Sequence, residues 1–328
     1  MSVPVYNLGG NYMSTTNNNN FYDFGYKPTN TYQMPAIFDT PKTIYDYLNS
    51  HLYGHIEYKR VISTFIWKAI HGRTPGTILV AGESGSGKSE MIRILSKIYD
   101  SNINIVDGST VVPHGYKGTN HLSTQLSVLD FNNEIFPPIL VIDEFDKMLN
   151  RGNGSWSETG LLSELLKFLE GGLYNCGTDD KPRYVRTEKL SVILLGSFSS
   201  LTDQVQSYTI GFGCNKEDNS RIRSTLTKDQ ILSQLTPKLQ GRISQIVILN
   251  NFTEDDYLKI LKDSNYSPIA KLQEQYGVKF FVSESKYYEI AREAFNSLTG
   301  VRSMNNKLEA YLDEELFNNP DVKEITIE

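Results

Sequence analysis

Apolar residues follow two rhythms along this chain. Short, nearly unbroken runs occur at Thr77-Ile78-Leu79-Val80-Ala81, Ile103-Asn104-Ile105-Val106-Asp107, Pro138-Ile139-Leu140-Val141-Ile142, Leu190-Ser191-Val192-Ile193-Leu194-Leu195 and Ile246-Val247-Ile248-Leu249. Runs this short, without a polar face, predict strands buried on both sides, as in a parallel sheet. Between them apolar residues recur every three or four positions. Examples are Tyr58, Val61, Ile62, Phe65, Ile66 and Ala69, then Met91, Ile92, Leu95 and Ile98, then Leu161, Leu162, Leu165, Leu166 and Phe168. That spacing puts one apolar stripe on a helix. Thr40 before Pro41 reads as a helix start, and Gly171-Gly172 as a helix stop. Strands alternating with helices predict an α/β fold, a doubly wound parallel sheet with its ligand at the carboxyl edge of the strands.

From Thr253 the rhythm becomes helical. Asp255–Leu261, Pro268–Gln275, Ser283–Leu298 and Val301–Phe317 read as helices, with a closing strand over Val322–Ile327. A small helical domain hinged at Asn250-Asn251 is therefore expected. The division is an arm over 1–36, a large α/β domain over 37–250 and a small helical lid domain over 251–328.

Composition changes this picture only at the start of the chain. Residues 1–36 carry an Asn run (Asn17 to Asn20), many tyrosines and almost no charge, which reads as a disordered or loosely docked arm. The net charge of −6 argues against wholesale attraction to nucleic acid. The two cysteines, Cys176 and Cys214, lack metal-ligand spacing and read as reduced thiols. No apolar run reaches membrane-spanning length, and no basic start followed by an apolar core marks a secretory signal. The expectation is a cytoplasmic protein with no membrane partner.

The candidate chemistry sits directly after the first strand. Gly82-Glu83-Ser84-Gly85-Ser86-Gly87-Lys88-Ser89 is a complete phosphate-loop pattern between a predicted strand and a predicted helix. Its glycines let successive N–H groups face a phosphate, Lys88 reaches the β- and γ-phosphates, and the Ser89 hydroxyl can hold Mg²⁺. The second signal is the strand ending in Asp143-Glu144. There Asp143 would orient Mg²⁺ and its water, and Glu144 would activate the water that attacks the γ-phosphate. ATP and Mg²⁺ are thus the expected cofactors.

These features in order, with Ile142-Asp143-Glu144-Phe145-Asp146-Lys147 and a helical C-terminal lid, resemble the AAA+ ATPases of the Clp class, the ClpX-like members above all. The resemblance covers about residues 40–328. It implies that Leu52 and Tyr53, in Leu52-Tyr53-Gly54-His55, enclose the adenine. It implies that Arg242 is an arginine finger acting on the neighbouring subunit, that Arg302 is a second sensor on the lid, and that the first sensor falls near Ser197. Tyr116 and Lys117, in Gly115-Tyr116-Lys117-Gly118, match a pore loop that grips polypeptide. Ile210, Gly211 and Phe212 resemble a loop that docks on a ClpP-type peptidase. Two departures stand out. The Asn/Tyr-rich arm stands where the family has a zinc-binding domain, and Gly177 to Lys189 lacks the family's basic entry loop.

The implied function is an ATP-dependent protein unfoldase. It would work as a homohexameric ring that threads protein substrates through a central pore, with or without a ClpP-type peptidase. The rivals are a nucleic-acid-associated AAA+ ATPase, such as a loader or transposition regulator, and a nucleotide-switched scaffold with negligible turnover. The acidic balance and the aromatic pore loop disfavour nucleic acid as a partner.

Overall fold

The computed structural model describes residues 34–73, 76–99, 102–112, 120–150, 156–177, 181–201, 226–297 and 299–328. Two helices lead, α1 (Pro41–His51) and α2 (Ile56–Ile70). Next come β1 (Thr77–Ala81), α3 (Lys88–Ser96), β2 (Ile103–Asp107), α4 (Leu122–Gln125), β3 (Ile139–Asp143), α5 (Phe145–Asn150) and α6 (Trp156–Glu170). They are followed by β4 (Leu173–Asn175), β5 (Tyr184–Arg186), β6 (Ser191–Gly196), α7 (Lys228–Ser233), α8 (Pro237–Gln240) and β7 (Ile243–Ile248). The C-terminal part holds α9 (Glu254–Lys262), α10 (Pro268–Tyr276), β8 (Lys279–Val282), α11 (Glu284–Asn296), α12 (Val301–Asn318) and β9 (Glu324–Ile327). Thr40 caps α1 in a reciprocal capping box with Thr43, and Pro41 occupies the first helical turn, as its fixed φ and missing N–H favour.

The five apolar runs become one parallel sheet in the order β2-β3-β6-β1-β7. β6 inserts between the strand before the phosphate loop and the strand that ends in acids. Register aligns the carboxyl ends: Ala81 lies beside Gly196, and Ile142 beside Leu194. Gly82, Ser197 and Glu144 therefore leave the sheet at one edge. Leu79, Ala81, Leu140, Ile142, Val192 and Leu194 join a buried cluster with Phe145, Leu165 and Phe168. Ile78, Val80, Val141 and Ile193, pointing the other way, are buried as well, as strands covered on both faces require.

β7 begins at Ile243, three residues before the apolar run, because its parallel pairing with β1 starts at Thr77. It is one of the sheet's two edge strands, so its exposed Ser244 and Gln245 fit without apolar side chains. The β4–β5 hairpin and β8 were not legible in the apolar pattern. β8 has only Phe280 and Val282 facing inward, and it gains its identity from β9, where Ile325 and Ile327 stand opposite them. These residues join Tyr257, Ile260, Leu272, Ile290, Leu308 and Leu312 in a second buried cluster made by the C-terminal helices. Among the described residues no helix is long and apolar enough to cross a membrane.

Candidate active site

The sequence Gly82–Ser89 forms the turn from β1 into α3, with Gly85 at φ 73° and Gly87 at φ 92°. Both are conformations that glycine adopts without strain. Lys88 opens α3 and is buried. Its Nζ donates to the carbonyls of Gly82 (2.6 Å) and Glu83 (2.8 Å). Burial, aided by the charge of Arg302, pushes its pKa down to about 8 against the opposing pull of Asp143 and Asp146. The Ser86 hydroxyl is buried in the same loop without a hydrogen-bond partner. An orphaned hydroxyl beside a lysine at a helix N-terminus suits an anionic ligand with oxygen acceptors.

β3 delivers the acids. Asp143 accepts from the Ser89 hydroxyl at 2.5 Å and from the Glu144 N–H at 3.0 Å. A hydroxyl and a carboxylate meeting at the first turn of α3 are oxygen donors of the kind Mg²⁺ takes, so these two residues could hold that ion. Glu144 sits at φ 53°, a left-handed conformation rare for a non-glycine residue. Its half-exposed carboxylate pairs with Lys147 at 2.8 Å.

β6 contributes Ser197. Its N–H and hydroxyl both donate to Asp146, at 3.0 and 2.9 Å, and the Phe198 N–H donates to the same carboxylate at 3.0 Å. In the sequence Asp146 stands within the acidic run Asp143-Glu144-Phe145-Asp146 with no role marked for it. Its position three residues after Asp143, on the first turn of a helix leaving the same strand, was the available signal.

The other end of the cleft is aromatic. Leu52 and Tyr53 follow α1, and the Tyr53 hydroxyl donates to Asp256 of α9 at 2.8 Å. The Tyr53 ring packs against Phe252 and Tyr266. Burial, with the Asp256 hydrogen bond and charge, pushes the Tyr53 hydroxyl up to about 12. Two further residues, His55 within the turn and Lys59 after it, hold this turn in place, and the sequence marks a role for neither. Buried Lys59 donates to Asn49 and to the Leu52 carbonyl. His55, at φ 50°, has Nε2 2.6 Å from the Ser86 carbonyl, which ties the turn to the phosphate loop. Burial pushes the His55 pKa down to about 4, only partly offset by that hydrogen bond.

The C-terminal part closes over the phosphate loop. A Cβ at Gly85 would run into the Thr299 carbonyl, so the turn before α12 lies directly on the loop. Asn251 adds a side-chain hydrogen bond to Glu83 at 2.9 Å. Arg302, in the first turn of α12, is thereby brought to the phosphate loop. A cleft of about 680 Å³ results, lined by Leu52, Tyr53, the loop from Glu83 to Ser89, Asp143, Glu144, Asp146, Ser197 and Arg302.

Arg242 is not in this cleft. It lies immediately before β7, at the opposite end of the sheet from the phosphate loop, half-exposed and 3.2 Å from Glu170. Tyr116, Lys117, Ile210, Gly211 and Phe212 fall outside the described residues.

The family model described as AAA domain (Cdc48 subfamily) matches residues 73–246, just over half of the chain. The chain is 24% identical over 342 residues to the ATP-dependent Clp protease ATP-binding subunit ClpX of Treponema denticola, covering 92% of this chain and 82% of that protein. It is 24% identical over 319 residues to the ClpX of Bacteroides thetaiotaomicron, covering 85% and 77% respectively. With the ClpX of Azotobacter vinelandii it shares 27% over 274 residues, 74% of this chain and 62% of that one. The matched segment runs from just before β1 into β7, so it spans the parallel sheet and both acid-bearing and phosphate-loop strands. The chain belongs to the AAA family and is a ClpX-like AAA+ ATPase.

Proposed function

We propose that this ATPase is a protein unfoldase or remodeller that acts as a homohexameric ring and draws polypeptide through a central pore. The observation that carries the reading is the division of the catalytic parts between two ends of the sheet. One cleft gathers the phosphate loop, Asp143, Glu144, Ser197 and Arg302. Arg242 sits a full strand length away, roughly 15–20 Å at the rise of a β-strand, and cannot serve the cleft of its own chain. A cation displayed there is useful to a neighbour's γ-phosphate, which requires a ring.

Within the cleft, Gly82 to Ser89 and Lys88 hold the phosphates of ATP, and Leu52 and Tyr53 enclose the base. Ser89 and Asp143 hold Mg²⁺, which when bound neutralises charge on the phosphate oxygens. Glu144 takes a proton from water as the new oxygen–phosphorus bond forms and the bond to the β-phosphate oxygen breaks, giving ADP and phosphate. Residues 251–328 act as a lid whose position follows the nucleotide. The contacts at Gly85, Glu83 and Tyr53 support that coupling. Tyr116 and Lys117 grip the substrate, and Ile210 and Phe212 dock a ClpP-type peptidase.

The test measures unfolding of a tagged fluorescent substrate beside ATP turnover. Tyr116→Ala is expected to keep most ATPase activity and lose unfolding, while Glu144→Gln loses both yet still binds ATP. A parent ring that hydrolyses ATP only with DNA, with salt-dependent DNA binding, would favour a nucleic-acid-associated ATPase instead. Co-sedimentation with a ClpP-type peptidase, compared with Phe212→Ala, separates a protease partner from a stand-alone remodeller.

A further inference from the structure

Asp146 is almost fully buried at the foot of the cleft, and three donors converge on its carboxylate. Two are the consecutive backbone N–H groups of Ser197 and Phe198, and the third is the Ser197 hydroxyl. The surrounding backbone is built to allow this. Phe198 takes a left-handed φ of 52°, and its ring is buried in the core. A Cβ at Gly196 would meet the Phe198 ring at 2.5 Å and Asp146 Oδ1 at 3.1 Å, so the position before Ser197 has no room for a side chain. A non-glycine residue is strained in the left-handed region, and the conformation persists only where neighbours fix it. The Asp146 carboxylate is the group that fixes this one.

The hydroxyl contact has a chemical consequence. A serine hydroxyl has one proton and two lone pairs, whereas an ionised carboxylate can only accept. The Ser197 proton is therefore committed to Asp146 Oδ2, and what Ser197 shows the cleft is lone pairs. It cannot donate to a phosphate oxygen while that bond stands, but it can accept a proton from water. The attacking water has two O–H bonds. If Glu144 accepts from one and Ser197 from the other, the water's rotation is frozen and one of its two lone pairs is aimed, the geometric condition for in-line attack.

We propose that Asp146 is a positioning residue for ATP hydrolysis, which by taking the Ser197 proton makes Ser197 an acceptor for the attacking water. The inference rests on the ATPase reading of the cleft. Asp146 sits two residues after Glu144 on the first turn of α5, so it also fixes the spacing between the water's two acceptors. No atom of Asp146 takes part in the bond changes. The proton lost by water goes to Glu144, and the Ser197 proton stays where it is.

The experiment is a double-mutant cycle on the full chain, with kcat and the ATP dissociation constant measured for parent, Ser197→Ala, Asp146→Asn and the double variant. Asp146→Asn can offer its amide N–H to Ser197 and release the hydroxyl proton towards the cleft. Each single variant is expected to lower kcat by roughly tenfold to a hundredfold, with ATP affinity within twofold of the parent. The double variant should be no slower than Ser197→Ala, because both changes remove the same interaction. Multiplying losses, or a loss confined to ATP affinity, would overturn the proposal. Ser197→Ala leaves both backbone donors to Asp146 intact and so keeps the test alive if Asp146→Asn does not fold. Parental turnover in Ser197→Ala overturns the inference by itself. A Glu144→Gln control separates the two levels: if it turns over ATP like the parent, the ATPase reading of the cleft has failed, whereas its silence together with an additive cycle means that only Asp146 was misassigned.

Discussion

ATP binding should take up a proton, and the structure says how much. In the free cleft Lys88 has two of its three N–H bonds spent on the Gly82 and Glu83 carbonyls, and burial lowers its pKa to about 8. A bound triphosphate needs the ammonium form and holds it protonated. Above pH 8 the free site is mostly neutral lysine, so binding must first recover the proton, and affinity falls as pH rises. With a free-site pKa near 8, ADP or ATP binding should take up roughly a quarter of a proton at pH 7.5 and about three quarters at pH 8.5. Between pH 7 and 9 the dissociation constant should rise about tenfold, about 1.4 kcal/mol. Calorimetric titration with ADP at fixed magnesium, in two buffers of different ionisation heat, reads the proton count directly. ADP avoids turnover, and its own phosphates are already ionised over this range. Lys88→Arg keeps its charge at every pH used and should bind more weakly but without the pH drift. An affinity flat from pH 7 to 9 with no proton uptake at pH 8.5, or the same drift in Lys88→Arg, would refute the assignment of Lys88 as the phosphate counter-charge.

Three further outcomes are expected. Gly85→Ala should lose more stability than Gly72→Ala in thermal melts and should weaken ATP binding: both sites are left-handed, but a Cβ at Gly72 meets nothing within 4 Å while one at Gly85 meets the Thr299 carbonyl. Gly72→Ala should cost about 1 kcal/mol from strain alone, and an equal cost at both sites would show that the turn before α12 does not rest on the loop. His55 should make the fold acid-sensitive: its folded pKa of about 4 lies below the unfolded value, so its contribution is complete above pH 6.5 and is lost as pH falls towards 4. The difference in unfolding free energy between parent and His55→Gln should change by up to about 3 kcal/mol across that window, and parallel pH profiles would count against it. Arg242→Ala should bind ATP normally and hydrolyse it poorly, and mixing it with Glu144→Gln subunits should restore part of the turnover, since each lacks a different half of a shared site. Absence of rescue in mixed assemblies would remove the trans-acting role of Arg242.

The residue pattern alone sets the kinds of element and the ligand chemistry. β1, β3 and β6 are visible because a strand covered on both faces must be apolar at nearly every position, and the Gly82–Ser89 spacing leaves little besides phosphate for a turn of that shape. It also determined the helical character after Thr253, through the stripes that became the cluster around Leu308 and Ile290. Strand order was decided only in three dimensions. Buried parallel strands look alike in one dimension, and nothing local says that β6 lies between β1 and β3. That insertion is what sets Ser197 between Lys88 and Glu144. β8 was silent for a related reason: four residues with two inward side chains become a strand only when Ile325 and Ile327, more than forty positions away, pair with them. The same holds for the roles of single polar residues. Asp146 reads as one more acid in an acidic run, His55 as a histidine in a turn, and Lys59 as an exposed cation on a helix. Asp146 and His55 acquired their tasks from partners distant in sequence, and Lys59 acquired its own from burial against Asn49 and Leu52 across the turn, because the cost of an unpaired buried polar group, which local pattern cannot register, arises only when the chain is packed.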